Sequence, residues 1–123
     1  MRNSRLWRAL LGVDKRAVIE HIEFVQDGAD GEVVVAHVRP RRGARGRCGR
    51  CGRNAPSYDR GAGRRRWRGL DLGTVRVWLE ADAPRVECPI HGPTVVAVPW
   101  ARHSAGHTRD FDDTVAWLAV ACS

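Results

Sequence analysis

Cys48 and Cys51 are separated by two residues in "RCGRCGR" at 47–53, and Cys88 and His91 repeat that interval in "ECPIHG" at 87–92. Thiolate sulfur and imidazole nitrogen are the donors of structural zinc, which takes four of them tetrahedrally. A two-residue gap lets one tight turn aim two donors at a single ion. Cys48, Cys51, Cys88 and His91 supply that count, and a glycine follows each half, at Gly52 and Gly92, where a ligand turn needs a residue tolerant of positive φ. With four protein ligands no position stays open for an activated water, so the spacing predicts a structural Zn2+ and not a catalytic one. The arginines beside Cys48 and Cys51 would favour thiolate over thiol. His91 is the least constrained ligand; Cys122, His103 and His107 are the alternatives for its place.

The compartment bears on the same cysteines. No apolar run approaches the roughly 20 residues needed to cross a bilayer. The apolar stretch of "MRNSRLWRALLGVDKR" is too short for a signal peptide. Both features predict a cytoplasmic location without membrane association, where thiols stay reduced and a CxxC matched by a distant CxxH favours metal over disulfide.

The net charge of +7 is concentrated in one segment. Residues 41–68 hold eleven arginines and a single acid, Asp59, giving +10 and leaving −3 for the rest of the chain. All but one of the 21 basic residues are arginine, whose planar fork suits phosphate. The run brackets the paired cysteines and contains Trp67, so it reads as a nucleic-acid surface more than as a solvated loop.

These groups need a scaffold, and 123 residues with 43% apolar content allow one domain with a modest core. "SRLWRALL" at 4–11 predicts a short amphipathic helix behind a Ser4 cap. Residues 17–25 and "EVVVAHVRP" at 32–40 predict two strands joined through the turn "DGADG" as an antiparallel hairpin. "TVRVWLEA" at 74–81, "PRVECP" and "TVVAVPW" at 94–100 predict three more strands, with Trp78 in the core. In "HTRDFDDTVAWLAVACS" a helix begins at a Thr108 or Asp110 cap, with Phe111, Val115 and Leu118 on one face, and the absence of a stop signal predicts an excerpt of a longer chain. The expected fold is α+β: a small antiparallel sheet carrying a zinc-ribbon-like site, a short N-terminal helix and the start of a C-terminal helix. Its expected divisions are 1–40 (helix and hairpin), 41–100 (zinc module with the arginine segment) and 101–123 (linker and a beginning helix).

"CGRCGRNAPSYDRGAGRRRWRGLDLG", "VECPIHG" and "VPWARHSAGHTRDFDD", taken in order, resemble the N-terminal region of bacterial insertion-sequence transposases of the ISL-three type. The resemblance covers nearly the whole chain. It implies a zinc-finger module that helps a transposase recognise the terminal inverted repeats of its element in double-stranded DNA, and it implies that the helix beginning in 101–123 is the first of a truncated helix-turn-helix. It places the metal ligands on Cys48, Cys51, Cys88 and His91; many relatives have cysteine at the fourth position, a departure that zinc accepts. It matches Arg64, Arg65, Arg66, Trp67 and Arg68 to a basic, aromatic strip. From charge, DNA contact is assigned to these and to Arg45, Arg47, Arg50 and Arg53. The acidic catalytic triad of such transposases lies well downstream, so the expected activity of this chain alone is not enzymatic, and homo-oligomerisation of a full-length protein stays open.

The residues exclude several other chemistries. No Gly-rich phosphate loop or nucleophile elbow is present, and Asp59, Asp71, Glu80, Asp82 and Glu87 lack the spacing of a two-metal nuclease. Two rival classes share the zinc site: a protein–protein adaptor, and an RNA-binding module that stacks single-stranded bases on Trp67 or Tyr58.

Overall fold

A computed structural model describes residues 4–121; the Ser4 side chain and Cys122, named above as a cap and as an alternative ligand, lie outside the described residues. Helix α1 (Ser4–Leu11) half-buries Trp7 and buries Leu11. Arg8 Nη1 donates to the carbonyls of Asp14 and Ala17, both at 2.9 Å, and so fixes the helix to the first strand.

Strands β1 (Ala17–Asp27) and β2 (Gly31–Pro40) form the expected antiparallel hairpin across a single 3-10 turn, Gly28–Asp30. Strand β1 alternates only in part, because Ile19 pairs with Val38 and His21 with His37, which leaves Glu20 as an additional residue. This bulge moves the side-chain phase by one position. Ile19 before it and Ile22 after it both pack on the core, while His21 and Glu23 are exposed.

The remaining strands are β3 (Ser57–Asp59), β4 (Arg64–Arg68), β5 (Arg76–Asp82), β6 (Arg85–Cys88) and β7 (Gly92–Val95). They complete two sheets, one ordered β1-β2-β5-β4 and one ordered β3-β6-β7. Pairing is mostly antiparallel; β2 and β5 are parallel, from Val33 opposite Arg76 to His37 opposite Glu80. Central β2 is buried on both faces from Val33 to Ala36, which accounts for its unbroken apolar run. Strands on both sides of residue 40 share this sheet, so the boundary drawn there marks a change in composition, not a seam between two bodies. The strand expected at 94–100 is shorter and begins earlier, as β7; beyond it only isolated bridges form, from Cys48 to Val96 and from Val98 to Ala101.

The main core lies on the inner face of the four-stranded sheet. Val34, Ala36, Val38, Val77, Leu79 and Ala81 meet Leu11, Trp67, Trp100 and Ala101 there. Trp67 and Trp100 pack edge to face with centroids 5.4 Å apart. A smaller cluster of Cys48, Val86, Cys88 and Val96 supports the second sheet.

Helix α2 (Arg109–Ala121) follows. Thr108 is its cap, since its Oγ1 accepts from the Phe111 N–H at 3.2 Å, and Asp110 and Asp112 occupy the first turn, where they complement the helix dipole. Among the described residues no helix is long and apolar enough to cross a membrane.

Candidate metal centre and arginine surface

The first knuckle folds because Gly52 N–H returns to the Cys48 carbonyl at 2.8 Å and Cys48 N–H reaches the Arg53 carbonyl at 2.8 Å. Gly52 has φ 75° and Gly92 φ 68°, so both positions use the left-handed freedom expected of them. The second knuckle is the tip of the β6–β7 hairpin, closed by Cys88 opposite Gly92. Gly49 lets the two parts approach: a Cβ there would stand 2.5 Å from the Val95 carbonyl and 2.5 Å from His103 Nδ1.

The four donors converge. Sγ of Cys51 is 3.6 Å from Sγ of Cys88, and His91 Nδ1 is 3.7 Å from Sγ of Cys88 and 3.8 Å from Sγ of Cys48. All four donor atoms lie within 4.8 Å of one another. Zinc with bonds of about 2.3 Å to sulfur and about 2.0 Å to nitrogen spans tetrahedral edges of roughly 3.5–3.8 Å. These three separations are close to such edges, so this donor set fits the ion. A disulfide would need sulfurs about 2.05 Å apart; Cys48, Cys51 and Cys88 are free.

Local electrostatics favour one thiolate. Burial favours the neutral Cys48 thiol, but backbone N–H groups of Cys51 and Arg50 and then the His91 imidazole outweigh it and lower Cys48 to about 6. The Arg50 N–H stands 3.4 Å from the sulfur. These backbone dipoles are the cause, where the sequence had suggested arginine side chains. At Cys51 the Arg53 N–H pulls the thiol down, yet burial and the adjoining thiols of Cys88 and Cys48 carry it above its usual value.

Two of the alternatives for the fourth ligand, His103 and His107, lie elsewhere. His103 packs beside Gly49 outside the donor cluster, and His107 stacks on Phe111 with centroids 4.6 Å apart.

Residues 44–91, the span of both knuckles, match the family described as the zinc-finger of transposase IS204/IS1001/IS1096/IS1165. They are a zinc ribbon of the ISL-three transposase type. Over its whole length the chain is 74% identical to the "Transposase for insertion sequence element IS1557" of Mycobacterium tuberculosis, in strains CDC 1551 / Oshkosh and ATCC 25618 / H37Rv. It spans 28% of the length of those relatives. No solved structure matches it. Zinc in this ribbon is structural.

The arginines divide into two populations. Two of those on β4 face acids on β5, Arg64 opposite Asp82 and Arg66 opposite Glu80, while Arg68 stands opposite Trp78. Arg64 lies 3.3 Å from Glu80 and 3.4 Å from Asp82, and Arg66 lies 2.9 Å from Glu80. Arg68 pairs with Asp71 and covers the rings of Trp78 and Phe111. Arg65 points to the inner face, where it donates to the Ala105 carbonyl and caps the Trp67 ring. Trp67 itself is 2% exposed, which corrects its assignment to DNA contact: a ring sealed in the core has no face for a base. Trp78, expected in the core, is half-buried on the other face of the sheet beside Arg68. In the ribbon loop, by contrast, Arg45, Arg50 and Arg53 are exposed and, among the described residues, have no acid partner; Arg47 reaches only the Gly52 carbonyl, at 3.2 Å.

Proposed function

We propose that Cys48, Cys51, Cys88 and His91 ligate the structural zinc and that the loop they fix presents Arg45, Arg47, Arg50 and Arg53 to the phosphates of duplex DNA. The duplex is the terminal inverted repeat of an insertion sequence. The segment serves as a recognition module within a longer transposase in the reducing cytoplasm, and strand-transfer chemistry belongs to another part of that protein.

One observation carries this reading: among the described residues the guanidinium groups around the first knuckle lack acid partners, whereas on β4 Arg64 and Arg66 are matched to acids across the sheet and Arg68 to Asp71. An exposed cation with no counter-charge gains most from a phosphate, because displacing condensed counterions costs it no internal ion pair. The relatives' description as transposases supports the choice of DNA. The set Arg64, Arg65, Arg66 and Arg68 then adds background potential, since each of its members is already engaged inside the molecule.

The test is a binding titration of the zinc-loaded chain against an inverted-repeat duplex, a scrambled duplex and heparin over a range of salt. Four phosphate contacts correspond to a slope of log K against log salt near −3.6. Tighter binding to the inverted repeat than to the scrambled duplex supports the recognition role. A flat salt profile overturns the DNA reading, and equal affinity for all three polyanions reduces it to charge.

A further inference from the structure

The bulge in β1 brings together a second group of donors on the outer face of the four-stranded sheet, remote in sequence from the ribbon cysteines. His21 is directly opposite His37, and their rings stack with centroids 4.1 Å apart and planes 12° from parallel. Glu23 follows His21 on the same face, and its Oε1 lies 2.6 Å from His37 Nε2. One ligand atom from each of His21, Glu23 and His37 falls within 4.8 Å of the other two.

We infer that His21, His37 and Glu23 form a binding site for a divalent transition-metal ion, distinct from the zinc ribbon. Imidazole and carboxylate are donors for Zn2+, Ni2+ and Cu2+, and three protein ligands leave positions open to water or another ligand. The support behind His37 is of the kind metal-bound histidines require. Its Nδ1 lies 3.4 Å from Glu80 Oε2, close enough for this carboxylate to accept from a proton-bearing Nδ1 and so hold the tautomer that offers Nε2 to a metal. Glu80 is in turn held by Arg66 and Arg64 at 2.9 and 3.3 Å. His37 is mostly covered and positioned by the central strand, whereas His21 is exposed and free to turn its ring edge toward the ion.

One contact opposes metal binding. Arg64 Nη2 stands 2.8 Å from His37 Nδ1, and a guanidinium has no acceptor, so this contact selects the tautomer in which Nε2 carries the proton and donates to Glu23. The ion therefore binds with the His37 proton shifting from Nε2 to Nδ1, where Glu80 accepts its hydrogen bond, and with Arg64 withdrawing from Nδ1 toward Glu80 and Asp82. The bulge places two imidazoles and a carboxylate on one face where an unbroken β1 would turn His21 inward, so the site is part of the strand's geometry.

The test uses zinc-loaded protein, with the ribbon filled, titrated with Ni2+ by calorimetry while the histidine side-chain NMR signals are followed. One Ni2+ per chain is expected, with paramagnetic broadening of His21 and His37 and not of His103 or His107. His21→Ala, an exposed substitution that leaves the fold intact, abolishes that binding. Glu80→Gln weakens it roughly 10–100-fold, and Arg64→Ala strengthens it. Nickel uptake that is unchanged in His21→Ala, or absent from the wild-type chain, overturns the assignment.

Discussion

Arg66 of β4 stands directly across from Glu80 of β5 and donates to its carboxylate at 2.9 Å. The same register continues through His37 on β2 to His21 on β1, so a single transverse row of polar side chains crosses all four strands. Much of the positive charge in "RRRWR" is therefore balanced by acids, and the arginine segment divides into a paired group and one without acid partners among the described residues.

That division sets the first expectation. Arg50→Ala and Arg53→Ala should each reduce the salt slope of duplex binding by about 1. Arg66→Ala should leave the slope nearly unchanged and lower stability slightly, within about 1 kcal/mol. Fluorescence anisotropy at four or more salt concentrations separates the two; an equal loss of slope in all three variants would merge the populations again.

Trp67→Ala should cost about 3–5 kcal/mol, because the ring is enclosed between the sheet and Trp100. Chemical denaturation reads the loss of stability. The folded fraction should keep the parental salt slope, an outcome that no base-stacking role would give.

Chelation should act locally. Removal of zinc leaves the four-stranded sheet with its own core, while the second sheet rests on the small cluster of Cys48, Val86, Cys88 and Val96 with Ala55 and Val98. Hydrogen exchange before and after EDTA should show lost protection in 44–55 and 85–96 and retained protection in β2 and β5. Uniform loss across both sheets would mean that the ion governs the whole fold.

The hairpin, α1 and the four donors were legible because each rests on local information: turn chemistry, an amphipathic period, a repeated two-residue gap. Two features were not. The partial alternation of 17–25 concealed a bulge, whose position depends on β2 and not on β1 alone. The destination of "RRRWR" depends on β5, since only the pairing with Glu80 and Asp82 decides which arginines are matched and turns Trp67 inward. Charge counting sees the same sequence in both cases. A hint was present in "WLEAD", where the outward positions of β5 are Trp78, Glu80 and Asp82, complementary to Arg68, Arg66 and Arg64.

The Glu80 row also gives a pH dependence. Burial raises the Glu80 pKa, but hydrogen bonds from Arg66 and Arg64 more than offset it, and the folded value lies below the usual 4.5. The unfolded chain thus binds the proton more readily, so the contribution of this carboxylate is complete above about 4.5 and is lost as pH falls through the lower folded value. Glu80→Gln should flatten the stability profile between pH 5 and 3; an unchanged acid limb would assign the loss to other carboxylates.

The central claim is that one ion joins the knuckle of Cys48 and Cys51 to that of Cys88 and His91. Zinc-edge X-ray absorption of the purified chain tests it most directly: the account predicts one zinc per chain with three sulfurs at about 2.3 Å and one nitrogen at about 2.0 Å. A shell without sulfur, or zinc retained stoichiometrically in the Cys48→Ser and Cys88→Ser variants, would contradict it.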